Sequence, residues 1–129
     1  MLRHLAAALL LLGSAGAALA ADPSKSLDQA RVAAGEVMFR QNCMTCHSPD
    51  SAKNAFGPSL VGVIGRTAGT LPRFAYSDAM KKSGIVWSDA TLRLWLADNE
   101  KLVPGTRMKH VSITDPAAQD FIIAYIGSL

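Results

Sequence analysis

Hydrophobic positions along this chain recur at helical spacing. In RVAAGEVMFRQNCMTCH, Val32, Gly35, Phe39, Cys43 and Cys46 follow one another at steps of three or four, the period that lines one helix face. The pattern predicts a helix carrying the CMTCH segment on it or just past its end. Near the C-terminus, Ile122, Tyr125, Ile126 and Leu129 sit at i, i+3, i+4 and i+7, and Asp115 before Pro116 supplies that helix with an N-cap and a first residue. Between these two elements Ser77 is placed to cap a short helix that stops at Gly84. Ser88 is placed to cap another, in which Leu92, Trp95 and Leu96 share a face. Few segments alternate with the period of two expected of a half-buried strand. The stretches SPDSAKNAFGPSLVGVIGRTAGTLPRF and KLVPGTRMKHVSI read as irregular. A loop as long as the first is uncommon in a small domain unless it wraps something. The expectation is an all-α fold of short helices and long loops.

The first residues change the size of the problem. Arg3 and His4 precede an apolar run from Leu5 to Leu12, and a small-residue stretch ends in Ala18-Leu19-Ala20, the three zones of a secretory signal peptide. A retained membrane anchor is the weaker reading, because the apolar and small residues span only 17 positions with Gly and Ser among them, short of the roughly 20 a bilayer needs. Residues 1–20 are therefore read as a signal peptide and residues 21–129 as one domain exported to the periplasm. Export removes one basic residue, Arg3, so 12 basic side chains face 10 acidic ones. That small excess, with no basic run, argues against a nucleic-acid partner. A domain this small buries a modest fraction of its surface and often needs a staple or a large ligand.

Cys43 and Cys46 are the only cysteines, and His47 follows directly. Two cysteines are too few for a disulfide scaffold. A structural zinc wants four Cys or His ligands; the exported chain offers Cys43, Cys46, His47 and His110, and adjacent Cys46 and His47 suit one tetrahedral ion poorly. A thioredoxin-like dithiol would follow a strand in a β-α-β pattern, which is missing, although an oxidising compartment leaves a plain disulfide open. The third reading is covalent haem, for which C-x-x-C-H is the general attachment motif. Its spacing has a physical basis: residues i and i+3 share one face of a helical turn, so two thiols can add to the two vinyl groups at one porphyrin edge. The following neutral imidazole suits iron. An apolar disc would also supply the core that the long loops need.

With these residues in hand, the sequence resembles the class I c-type cytochromes, the mitochondrial and bacterial soluble cytochrome c type. GEVMFRQNCMTCH, GPSLVGVIGRTAG, FAYSDAMKKSGIVW, TLRLWLADNEKLVPGTRM and FIIAYI occur in the family's order from about Gly35 to Ile126. The resemblance implies a small cytochrome c fold around one haem c, attached through Cys43 and Cys46. It implies His47 as proximal iron ligand, with Pro58 accepting from its ring N–H, and Met108 of PGTRM as distal ligand. Arg66, Tyr76 and Trp87 fall at positions that hold a haem propionate, and Thr106 where a hydroxyl faces the pocket. Gly35 and Phe39 fall where the first helix packs on Ile122 and Tyr125 of the last. Four residues depart from the pattern. His110 replaces an aromatic, Trp95 a tyrosine and Met80 an asparagine, all on the distal side, and Glu100 replaces a lysine.

The function so implied is an electron carrier rather than an enzyme. Histidine and methionine would fill both axial positions, leaving none for substrate, and methionine raises the potential. The partners implied are membrane cytochrome complexes, oxidases or reductases, met through small weak interfaces by a monomer that passes near the membrane surface. A haem peroxidase or gas-binding protein would need an open sixth position and a distal acid–base group, for which His110 is the sole candidate. A permanent enzyme subunit would keep the same haem chemistry and expose an apolar patch.

Overall fold

The computed structural model describes residues 22–50, 55–109 and 112–129. The signal-peptide reading of residues 1–20 and the distal candidate His110 lie outside the described residues. Among those described, five helices and no extended strand occur: α1 (Pro23–Asn42), α2 (Asp78–Lys82), α3 (Asp89–Ala97), α4 (Asn99–Leu102) and α5 (Pro116–Ser128). No helix among them is long and apolar enough to cross a membrane.

The capping side chains fix where the helices begin. Asp22 accepts from the Ser24 N–H with Pro23 at the first helical position, and Asp115 accepts from the Ala118 N–H with Pro116 behind it, each satisfying an otherwise orphan donor. Ser77 accepts from the Met80 N–H at α2, which ends just before Gly84, at φ 67°. At α3, Ser88 and Thr91 form a reciprocal capping box. Asp98 both ends α3 and caps α4, accepting from the Lys101 N–H at 2.9 Å. Here the structure corrects the sequence reading, which left Lys101 and Leu102 in an irregular stretch. One helical turn contains no repeat to detect, and its cap was its only signal.

Helices α1 and α5 form the principal packing of the molecule. They cross at Gly35, where an added Cβ would lie 1.8 Å from the Phe121 carbonyl oxygen and 2.9 Å from the Tyr125 Cβ. One turn on, Phe39 is fully buried and its ring meets Tyr125 at 5.2 Å between centroids. Helix α3 is tied to α5 by the Arg93–Asp120 ion pair. The buried Gln119 adds to this by donating to the carbonyls of Ile113 and Arg93 at 2.8 and 3.3 Å. The long irregular segment is pinned at one point, an antiparallel bridge between Thr67 and Val86. There Ala68 donates to Ile85, Trp87 to Arg66 and Gly65 to Trp87, all at 2.8–3.0 Å.

The crossing at Gly35 gives the first prediction. Gly35→Ala places a methyl inside a backbone carbonyl, so the helices must separate. The expected loss is about 3 kcal/mol, the upper end of overpacking costs, or roughly 10–20 °C in the thermal midpoint for a domain of this size. Circular dichroism melts of the haem-loaded protein measure it, and an unchanged midpoint would show that the helices do not cross there.

Candidate functional site

The end of α1 presents the motif. Cys43 is the C-cap of α1, its N–H bonded to the Phe39 carbonyl, so the segment sits just past the helix, within the sequence expectation. The Cys46 and His47 N–H groups both donate to the Cys43 carbonyl, at 3.0 and 2.8 Å, winding residues 43–47 into one more turn. Burial pushes the Cys43 thiol up to about 11, with a smaller contribution from Cys46; Cys46 itself is exposed.

His47 is buried, and its Nδ1 lies 2.9 Å from the Pro58 carbonyl oxygen. A carbonyl only accepts, so Nδ1 is the protonated nitrogen and Nε2 carries the lone pair. Two features of Gly57 hold this arrangement. The Gly57 N–H donates to the Cys46 carbonyl at 2.7 Å. A Cβ on Gly57 would sit 2.5 Å from His47 Cε1, so only glycine leaves room for the ring.

A cavity of about 580 Å³ opens beside this turn, within the size range of small-molecule and cofactor sites. All nine residues singled out in the sequence line it: Cys43, Cys46, His47, Pro58, Arg66, Tyr76, Trp87, Thr106 and Met108. Leu60, Val63, Leu92, Leu96, Ile113 and Ile126 supply apolar wall, and Met80 and Trp95, two of the four departures, line it as well. Trp95 stacks edge-on against Trp87 at 5.4 Å between centroids.

The polar lining is sparse. Arg66 commits two donors to its own loop, bonding the Ser59 carbonyl at 2.9 Å and the Val61 carbonyl at 3.3 Å, out of the five it carries. Burial holds the Tyr76 phenol above its ordinary range, partly offset by the charge of Arg66, so it remains an O–H donor at neutral pH. Trp87 is buried, yet its indole N–H has no acceptor among the described residues, an unusual state for a buried donor.

Met108 follows a turn in which Pro104 occupies the second position and Gly105, at φ 86°, the third, closed by the Thr106 N–H bonding the Val103 carbonyl at 3.0 Å. A positive φ at that third position selects glycine. The Met108 N–H donates to Thr106 Oγ1 at 3.3 Å. Two residues that the sequence reading did not single out as site residues hold this loop or the ring: Gly57 and Asn99. Gly57 stands in the quoted GPSL segment and had only its type as a signal. Asn99 had none, and its side chain donates to the Met108 carbonyl at 2.6 Å.

The comparisons with known proteins point to one family. The family model described as cytochrome c matches residues 32–129. Cytochrome c2 iso-2 of Magnetospirillum fulvum is 46% identical over 87 residues, 67% of this chain and 91% of that protein. Cytochrome c2 of Agrobacterium tumefaciens is 44% identical over 99 residues, 74% of this chain and 88% of its own length. Among solved structures, cytochrome cH from Methylobacterium extorquens is 47% identical, with a TM-score of 0.70 over 76% of this chain and 98% of that one. The chain belongs to the cytochrome c family. It is an electron-transfer protein and not an enzyme, carries one covalently bound haem c, and works with redox partner proteins.

The residues present fit that group. The cavity is apolar, as a porphyrin face requires. The Trp87 indole and the Tyr76 hydroxyl are donors of the kind a carboxylate would satisfy, and the Gly57 cradle fixes an imidazole in the tautomer that leaves Nε2 for a metal. A second prediction follows from the cradle. Gly57→Ala must displace the His47 ring and break its bond to Pro58, which lowers ring basicity. The haem-loaded variant should show a shifted reduction potential and weakened proximal ligation in resonance Raman spectra. Spectra and potential matching the wild type would mean that the ring does not depend on this contact.

Proposed function

We propose that this protein is a periplasmic carrier of single electrons, with His47 and Met108 as axial ligands of a haem c held by thioethers from Cys43 and Cys46. The single observation that carries the reading is that one apolar cavity gathers both thiols, the imidazole and the thioether of Met108. When bound, haem c supplies a one-electron ferric/ferrous couple, and a methionine ligand raises its potential.

The chain's own groups do the rest. His47 is oriented by Pro58 through Nδ1, which makes Nε2 the nitrogen that would act as the ligand. Burial disfavours a thiolate at Cys43, a penalty that a thioether does not carry. Arg66, Tyr76 and Trp87 receive the propionates, which gives the unpartnered Trp87 N–H an acceptor and Arg66's remaining donors a charge. Thr106 ties its hydroxyl to Met108 and faces the same cavity. With both axial positions taken, the site has no place for substrate. Its partners are then membrane cytochrome complexes, oxidases or reductases, met transiently by a monomer near the membrane surface.

The ligand set is tested by two substitutions. The ferric protein should show the weak near-infrared band of methionine–iron ligation. Met108→Ala should abolish it and lower the potential by on the order of 100 mV, within the roughly 0.8 V that axial ligands span. His110→Ala should leave the band in place. Loss of the native sixth ligand in His110→Ala, with Met108→Ala unaffected, would overturn the ligation. The export reading is tested by intact mass: the purified periplasmic protein should weigh residues 21–129 plus one haem, and a mass retaining residues 1–20 would support an anchor instead.

A further inference from the structure

The distal loop is fastened to the single turn of α4 by two residues, Asn99 and Glu100, that do not line the cavity. Asn99 is 8% exposed and directs its amide to the main-chain carbonyl of Met108 at 2.6 Å. Its neighbour Glu100 reaches the same loop from outside. One carboxylate oxygen accepts from the Gly105 N–H at 3.0 Å, and the other lies 3.7 Å from Lys109 Nζ. These bonds seize the loop before, at and after Met108. Asn99 does not line the cavity, so it acts on the site only through the backbone it holds.

We propose that Asn99 is a positioning residue for the sixth ligand, holding the Met108 main chain in place so that its side chain meets the iron without a search. Glu100 supports it at Gly105. The proposal rests on Met108 being that ligand, but the bond itself is to a main-chain carbonyl and persists when the Met108 side chain is removed. A ligand on a loop competes with outside donors, and its advantage is the loop entropy already lost in the folded state. Removing the amide leaves a partly buried carbonyl without this donor and frees the loop, a change expected to be worth about tenfold in an equilibrium constant.

The test uses the haem-loaded protein in two backgrounds, wild type and Met108→Ala, each with Asn99→Ala, and with Asn99→Leu as a second variant that fills the site without a donor. Two quantities are read: the affinity of added imidazole for the ferric iron, and exchange of the Gly105, Thr106 and position-108 backbone amides in the ferrous protein. Asn99→Ala should raise imidazole affinity roughly tenfold where Met108 is present and leave it unchanged where Met108 is absent. Exchange of the loop amides should quicken by roughly tenfold in both backgrounds. An equal rise in imidazole affinity in both backgrounds would overturn the proposal, because Asn99 would then only keep the cavity closed. Unchanged affinity and exchange in both Asn99 variants would overturn it outright. If wild type and Met108→Ala bind imidazole equally, the ligation itself is wrong and the positioning role falls with it. The exchange data would then report the backbone clamp alone.

Discussion

The contact on which the rest depends is the crossing of α1 and α5 at Gly35. With a Cβ only 1.8 Å from the Phe121 carbonyl oxygen, any side chain there would force the two helices apart. Their close approach lets Phe39 and Tyr125 meet one turn later and fixes the C-terminal end of α1 in space. That end is where Cys43 caps the helix and the next turn brings in Cys46 and His47. Placement of the thiols and the imidazole is therefore set by helix packing and not by the loop that follows. The loop adds the fine orientation, through Gly57 and Pro58.

Polar groups around the cavity divide into those already paired and those still in need. Arg66 is anchored to the Ser59 and Val61 carbonyls, and the bridge at Thr67–Val86 holds it beside Trp87. Anchoring occupies only part of the guanidinium's donor set, so the residue can be rigid and still bind an anion. Trp87 is the reverse case, a buried indole whose N–H has no acceptor among the described residues. Both states follow if the core of this small domain is completed by a disc with anionic substituents at one edge. The long irregular segments then have a surface to pack on, which removes the difficulty that their length poses for a chain of this size.

Much of this was legible in the sequence, and the part that was not has a common cause. The stripe from Val32 to Cys46, the caps at Ser77, Ser88 and Asp115, and the α5 face announce themselves because each repeats or uses a residue type with a narrow role. The nine cavity residues came from motif spacing and family order, and they converge on one cavity. Helix α4 escaped because four residues carry no periodicity. Gly57 and Asn99 escaped because their effect lies in distance, 2.5 Å from an added Cβ to an imidazole carbon and 2.6 Å from an amide to a carbonyl. A glycine in a loop and an asparagine after an aspartate look ordinary until the chain is folded.

Glu100 shows how one departure alters two properties at once. In the sequence it reads as a lost positive charge at the exposed edge. In the fold it also accepts from the Gly105 N–H and lies 3.7 Å from Lys109. Lys81 lies 3.7 Å from Asp78, and Arg40 bonds Glu36. Exposed pairs of this kind contribute little to stability, but each replaces a free charge by a dipole, whose field falls off faster with distance. The small net charge of residues 21–129 is thus spread over neighbouring opposites, and two propionates would reduce it further. What remains at the mouth of the cavity is local: Arg107 on the distal loop, with Phe56 89% exposed on the proximal side. An encounter built on such a rim gains little from long-range steering. Phe56, exposed at that rim, belongs to the same 56–58 turn that orients His47.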